Sequence, residues 1–229
     1  MSKRNGYYER VEGNEYRKIF VVGDLHGSFE KLLTRLSEIN FDPHHDLLVS
    51  VGDLIDRGNK NIECLELIRE PWFKAVKGNH EQMAIEAVSG HTNGSLWFQN
   101  GGEWYWHLDP DEKIRAKGLI QYASTLPLVI EVQTGNEKIV VAHADYPSQS
   151  YEFGKVLDPK EIMWSRERFS RIVDGEGSQI DGADQFYFGH TPIKKKAKAW
   201  NQNYIDTGAV FGGTLTIVQV QGGSNGEGD

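Results

Sequence analysis

Five times along the chain, a short apolar run ends in a small residue and then in an aspartate, asparagine or histidine. The units are IFVVGDLH (Ile19–His26), LLVSVGD (Leu47–Asp53), FKAVKGNH (Phe73–His80), KIVVAHAD (Lys138–Asp145) and QFYFGH (Gln185–His190). Runs this short, rich in Val, Ile and Phe, predict strands buried on both faces. Between them the period changes. After Gly27, Phe29, Leu32, Leu33, Leu36 and Ile39 fall at helical spacing. Ile62, Leu65 and Ile68 mark a second helical stretch over Asn61–Arg69, which Pro71 interrupts. Strand–loop–helix alternation predicts an α/β fold with functional groups on the loops after the strands. VQTGNEKIV (Val132–Val140) reads as a hairpin turn, so the sheet is expected to be mixed.

The stretch from His91 to Lys113 breaks this rhythm, with Trp97, Phe98, Trp104, Tyr105 and Trp106 set among glycines. Two readings stand side by side: an excursion that covers the site, or a satellite aromatic core. No linker, repeat array or low-complexity block divides the body. One domain over residues 1–221 is expected, with GGSNGEGD (Gly222–Asp229) as a loose, solvated tail.

Composition narrows the function classes. No apolar run approaches the ~18–20 residues of a membrane span, and the first 18 residues hold no apolar stretch resembling a secretory signal. A cytoplasmic protein without a membrane partner is expected. The formal net charge of −8 repels nucleic acid, so any anionic substrate must be drawn in by local positive charge. Cys64 is the only cysteine, which excludes an intrachain disulfide. Cysteine-dependent phosphatases space the nucleophile and an arginine by five residues around a phosphate loop. Here CLELIR leaves four, none of them glycine, on a helical apolar pattern. Cys64 is expected in the core.

Any one of the five units alone would be structural, because Asp and Asn at strand ends support turns. Their joint pattern is different. Asp24, His26, Asp53, Asn79, His143 and His190 are oxygen and imidazole donors, a set suited to Mn, Fe or Zn. Open α/β sheets gather the carboxyl ends of their strands at one crevice, so residues distant in sequence can meet. Six donors exceed one four-coordinate zinc with an open position. They suit two ions sharing a carboxylate, ~3.5–4 Å apart, although spacing does not assign ligands to ions. Arg57, in GDLIDRG, offers a planar fork for phosphate oxygens, or else a salt bridge to Asp56. His80 follows Asn79 and suits a general acid held by a carboxylate such as Asp56.

The motifs GDLHG, GDLIDRG and GNHE, in this order, resemble those of the metallophosphoesterases of the serine/threonine protein phosphatase family. The likeness is greatest to the branch that includes the bacteriophage lambda phosphatase and its bacterial relatives. VAHADYP, MWSRER, FGHTP and YIDTGAVFGG extend it over nearly the whole chain. The resemblance implies a calcineurin-like fold of two packed mixed sheets flanked by helices, and a dinuclear centre. It implies that Asp24 and His26 hold one ion, that Asp53 bridges, and that Asn79, His143 and His190 complete the second. It further implies His80 as the acid, oriented by Asp56, with Arg57 and Arg166 clamping the phosphoryl oxygens. From the residues alone, Arg168 is an equal candidate for the Arg166 role. One departure is visible: Lys77 stands where close relatives often have arginine, keeping the charge but losing the bidentate fork.

The activity so implied is hydrolysis of phosphoserine and phosphothreonine in phosphoprotein partners, with phosphotyrosine left open. The attacking group would be a water bridging two divalent ions, manganese first, with iron and zinc as alternatives. Two rivals remain at this level. One is a dinucleoside tetraphosphatase or other phosphodiesterase on the same scaffold. The other is a phosphoprotein-binding module without catalysis. Oligomeric state is not legible.

Overall fold

Each of the five apolar runs is a strand buried on both faces, because two sheets lie between two layers of helices. The computed structural model describes residues 3–222; all but the first residue of the expected tail lies outside them. The strands are β1 (Lys3–Asn5), β2 (Tyr8–Glu12), β3 (Lys18–Val22), β4 (Asp46–Ser50), β5 (Phe73–Ala75), β6 (Val129–Gln133), β7 (Lys138–Ala142), β8 (Gln185–Phe188), β9 (Ala197–Ala199), β10 (Gln202–Tyr204) and β11 (Ile217–Gln221). One sheet has the order β1-β2-β6-β7-β8-β10-β9 and the other β11-β3-β4-β5. Both are mixed: β3, β4 and β5 run parallel beside an antiparallel β11, while β7 and β8 are parallel and β6–β7 is the expected antiparallel hairpin.

The pleat sorts the apolar side chains by parity. Ile19 and Val21 of β3, Leu47 and Val49 of β4, Ile130 and Val132 of β6, and Ile139 and Val141 of β7 meet between the sheets. Their neighbours point outward. Phe20, Val22 and Leu48 join helices α1 (Phe29–Glu38), α2 (Asn61–Glu66), α3 (Asn79–Val88) and α6 (Pro110–Ala123) in a second core. Val129, Val140, Phe186 and Phe188 pack against Ile162 and Met163 of α7 (Pro159–Trp164) and against Phe169 of α8 (Glu167–Val173) in a third. Cys64 is buried in the second core, and burial raises its thiol pKa. Leu33, assigned to the apolar face of α1, is half exposed; the buried face is carried by Leu32 and Leu36. No helix among the described residues is long and apolar enough to cross a membrane.

The aromatic stretch folds as two short helices, α4 (Ser95–Trp97) and α5 (Trp104–His107), either side of a wide turn over Phe98–Gly102. It is no satellite. Trp97 is 1% exposed within the second core, and Trp104 and Tyr105 pack against the same cluster.

What positions the strand-end loops is backbone contact between them. Leu25 and His26 both donate their N–H to the Asp53 carbonyl, at 3.0 and 2.9 Å. A Cβ on Gly58 would lie 2.1 Å from the His26 carbonyl oxygen, so only glycine permits this approach. Glu81, in the first turn of α3, clamps the next loop. Its buried carboxylate accepts the N–H groups of Asp53 (3.0 Å), Leu54 (2.8 Å) and Gly78 (2.9 Å). Burial and the nearby Asp53 raise its pKa to about 7, against the bonds from Gly78 and Leu54. Replacing Glu81 with alanine would strand three donors in the interior. We predict that Glu81→Ala loses ~2–5 kcal/mol in urea unfolding, and that Glu81→Gln, which keeps an acceptor oxygen, loses less. A loss under ~0.5 kcal/mol, typical of surface changes, would mean that the clamp is not a support.

Candidate active site

The loops after β3, β4 and β5 of one sheet, and after β7, β8 and β10 of the other, bring their polar ends to one seam. Their backbones are bent to do so. His26 (φ 44°), Asp53 (φ 50°), Asp56 (φ 78°), Arg57 (φ 71°) and His190 (φ 67°) all occupy the left-handed region. Such conformations cost of order 1–3 kcal/mol each in non-glycine residues and gather where a site requires them.

Asp53 is the centre of the cluster. It is 2% exposed, and its Oδ2 lies 3.3 Å from His143 Nε2, 3.6 Å from His26 Nε2 and 3.9 Å from His80 Nε2. Its ligand atoms belong to two triads, His26–Asp53–His80 and Asp53–His143–His190, each with all atoms within 4.8 Å of one another. Asn79 Oδ1 lies 2.9 Å from both His143 Nε2 and His190 Nδ1. Asp24 joins from the first loop, accepting the His190 backbone N–H at 3.1 Å. The six donors expected from sequence are therefore all buried and together.

Their electrostatics suit a cation site. Burial and the neighbouring Asp206 hold Asp24 well above the usual carboxylate range. Burial would raise Asp53 too, but His143 and His80 hold it well below that range. Burial would lower His143, yet Asp53 and Asp24 raise it to about 10. Burial lowers His26 and His190 to about 3, so both imidazoles are neutral. His26 Nδ1 lies 2.8 Å from the Ile55 carbonyl and His143 Nδ1 2.7 Å from that of Val51, which leaves their Nε2 atoms turned inward. Carbonyl-anchored imidazoles of this kind are the usual support of metal-ligating histidines. His190 turns its Nδ1 toward the cluster, 2.9 Å from Asn79 Oδ1. Two triads of buried donors, the neutral imidazoles of His26 and His190 and mutually repelling buried carboxylates fit divalent cations. The donor set does not select which one.

Beside the cluster stands the candidate acid. His80 Nδ1 is 2.6 Å from Asp56 Oδ2, both groups being 0–1% exposed. Burial works against a charged His80, but Asp53 and Asp56 outweigh it and raise its pKa. Burial raises the Asp56 carboxyl, against the bonds from His80, Trp104 and Trp97. Arg57 does not pair with Asp56; its Nη1 lies 2.6 Å from His26 Nε2 and its guanidinium 5.5 Å from the Phe211 ring. Arg166 reaches the His190 carbonyl at 3.5 Å. Arg168, its equal from the sequence, is engaged by Asp145 Oδ1 (2.7 Å) and by the carbonyls of Tyr146 and Ser148. Lys77 is half-buried, and burial lowers its pKa.

Three further residues at the site carried no role in the sequence reading. Asp206 is 5% exposed and coupled by charge to Asp24 and Asp53. It follows β10 after the short run Tyr204-Ile205, which lacks the small residue that ends the other five runs. Trp97 and Trp104 send their indole N–H groups to Asp56; nothing in the local sequence signals this.

Residues 17–213 match the calcineurin-like phosphoesterase family. The chain is 46% identical over 221 residues to serine/threonine-protein phosphatase 1 of Salmonella typhimurium, covering 96% of this chain and all of that one. It is 42% identical to serine/threonine-protein phosphatase 2 of Escherichia coli, over 93% of this chain and 98% of the relative. Among solved structures it is similar to one provisionally described as a diadenosine tetraphosphatase, with a TM-score of 0.66 at 21% identity, covering 95% and 99% of the two chains. That likeness speaks to the fold. The family match and the full-length relatives speak to descent, and by both this chain belongs to the calcineurin-like phosphoesterases.

Proposed function

We propose that the protein is a metal-dependent protein phosphatase that hydrolyses phosphoserine and phosphothreonine monoesters. The observation that carries the reading is the buried His80–Asp56 pair, set beside a donor cluster centred on Asp53. The full-length likeness to proteins named as serine/threonine phosphatases supports it. Asp24, His26 and Asp53 would hold one divalent ion, and Asp53, Asn79, His143 and His190 the other, with manganese our choice among oxygen- and imidazole-loving metals. When bound, such ions supply positive charge for the phosphate and make water acidic enough to act as a nucleophile at neutral pH.

The chain's own residues do the remainder. A phosphoseryl group carries about −1.5 to −2 charges, and Arg57 and Arg166 would receive its equatorial oxygens, where charge must be stabilised. His26 cannot serve Arg57 and a cation with the same nitrogen, so a loaded site leaves the Arg57 guanidinium free for phosphate. His80, with Nδ1 held by Asp56, presents Nε2 to the leaving serine oxygen and gives it a proton. A serine alkoxide is a poor leaving group, so this transfer matters to the rate. No protein nucleophile is needed, consistent with a buried Cys64 whose thiol resists ionisation.

Phosphate release from a phosphoserine peptide, abolished by chelation and restored by Mn²⁺, is the direct test; faster turnover of diadenosine tetraphosphate would favour the rival substrate. We predict that His80→Ala lowers kcat on that peptide ~10²–10⁴-fold and lowers it less on p-nitrophenyl phosphate, whose leaving group needs little protonation. Equal losses would remove the acid role. Chelation should also lower the unfolding midpoint of the protein. Mn²⁺ at ~100 times its dissociation constant should return about 2.7 kcal/mol per site. Asp53→Asn should weaken both sites at once; two fully bound ions in that variant would refute the shared carboxylate.

A further inference from the structure

Asp56, like His143, is fully enclosed. It is 0% exposed, its carboxylate meets no lysine or arginine among the contacts described, and it is reached by three N–H groups. His80 Nδ1 takes Oδ2 at 2.6 Å. Trp97 Nε1 is shared between Oδ1 and Oδ2, at 2.9 Å from each, and Trp104 Nε1 reaches Oδ1 at 2.8 Å. The two indoles come from residues 41 and 48 positions away in the chain, and their rings meet edge-on at 6.1 Å.

The turn between them is shaped for this meeting. Gly101, at φ 102°, accepts the Arg57 N–H at 3.2 Å, and a Cβ there would sit 2.9 Å from that same nitrogen. The segment is thereby docked on the residue next to Asp56. A Cβ on Gly102 would fall 2.4 Å from Trp97 Nε1, so the paired glycines make room for the indole as it turns toward the carboxylate.

We propose that Trp97 and Trp104 are positioning residues for proton transfer: their indole N–H groups fix the Asp56 carboxylate so that His80 is held with Nε2 toward the leaving group. The inference rests on the acid role given to His80 above. A buried indole must find some acceptor for its N–H, and a backbone carbonyl would suffice for a core residue. Two indoles on one carboxylate do something else. Indole is a donor without charge and without acceptor capacity, so it orients Asp56 while leaving the whole negative charge facing His80. An arginine in the same place would offset that charge.

The test uses Trp104→Phe, which keeps a ring and removes the donor, with Trp97→Phe as the second variant and urea unfolding to confirm that each is folded. Losing one hydrogen bond to a charged group should cost about tenfold in kcat on a phosphoserine peptide, with KM unchanged and a loss below about threefold on p-nitrophenyl phosphate. In an Asp56→Asn background the same substitution should cost nothing further, since both act through one carboxylate. In the metal-free protein, the low-field proton resonance of the His80–Asp56 hydrogen bond should shift or vanish in Trp104→Phe. Equal losses on both substrates, full additivity with Asp56→Asn, or an unmoved resonance would overturn the proposal. His80→Ala separates the two levels. If that variant lacks the leaving-group signature, the acid reading itself fails; if it shows the signature and Trp104→Phe does not, only the positioning role fails.

Discussion

Carboxylates cannot be taken out of water unless something answers their charge, and this molecule gathers Asp24, Asp53, Asp56, Glu81 and Asp206 within one buried seam. An ion removed from water costs several kcal/mol even after relaxation. Each acid meets that cost differently. Glu81 takes three backbone N–H groups, Asp56 takes a histidine and two indoles, and Asp53 takes three imidazole neighbours. Asp24 and Asp206 are left repelling one another. The residual imbalance is what makes the seam a place for cations. The loops, the glycine approaches and the bent backbones are the means by which the acids are brought so close.

The seam exists because the site is divided between the two sheets. Loops after β3, β4 and β5 bring Asp24, His26, Asp53, Asp56, Arg57, Asn79 and His80. Loops after β7, β8 and β10 bring His143, His190 and Asp206. The geometry of Asp53 against His143 therefore depends on how Ile19, Val21, Leu47 and Val49 pack against Ile130, Val132, Ile139 and Val141. A volume change in that inter-sheet layer would move the polar groups of one sheet relative to those of the other, because close-packed interiors transmit such shifts. In this fold the core between the sheets is part of the site.

Much of this was legible in the sequence. Both-face burial leaves an uninterrupted apolar run, and the run's end marks the donor, so six candidate donors could be listed from repetition. Asp206 escaped because β10 is only three residues long and its run, Tyr204-Ile205, is too brief to register as a unit. Arg166 and Arg168 could not be separated in WSRER. Their difference is set by Asp145, which lies on another loop and captures Arg168. The indole contacts were the least readable. A tryptophan-rich stretch announces burial, but where an N–H points depends on how that stretch docks against a loop some forty residues earlier. The aromatic stretch packs into the second core and turns two of its indoles to Asp56.

The left-handed backbone at His26, Asp53, Asp56, Arg57 and His190 bears on how mutations at this seam should be interpreted. A side chain lacking the local polar contacts of Asp, Asn or His tolerates that conformation poorly. Alanine at these positions therefore changes two quantities together: the missing functional group and the torsional comfort of the loop. Glycine removes the same functional group while relaxing the torsion, so the Ala–Gly difference at each position isolates the conformational share. By the same logic, a narrow repertoire of tolerated residues here would record what the main chain demands as well as what the chemistry demands.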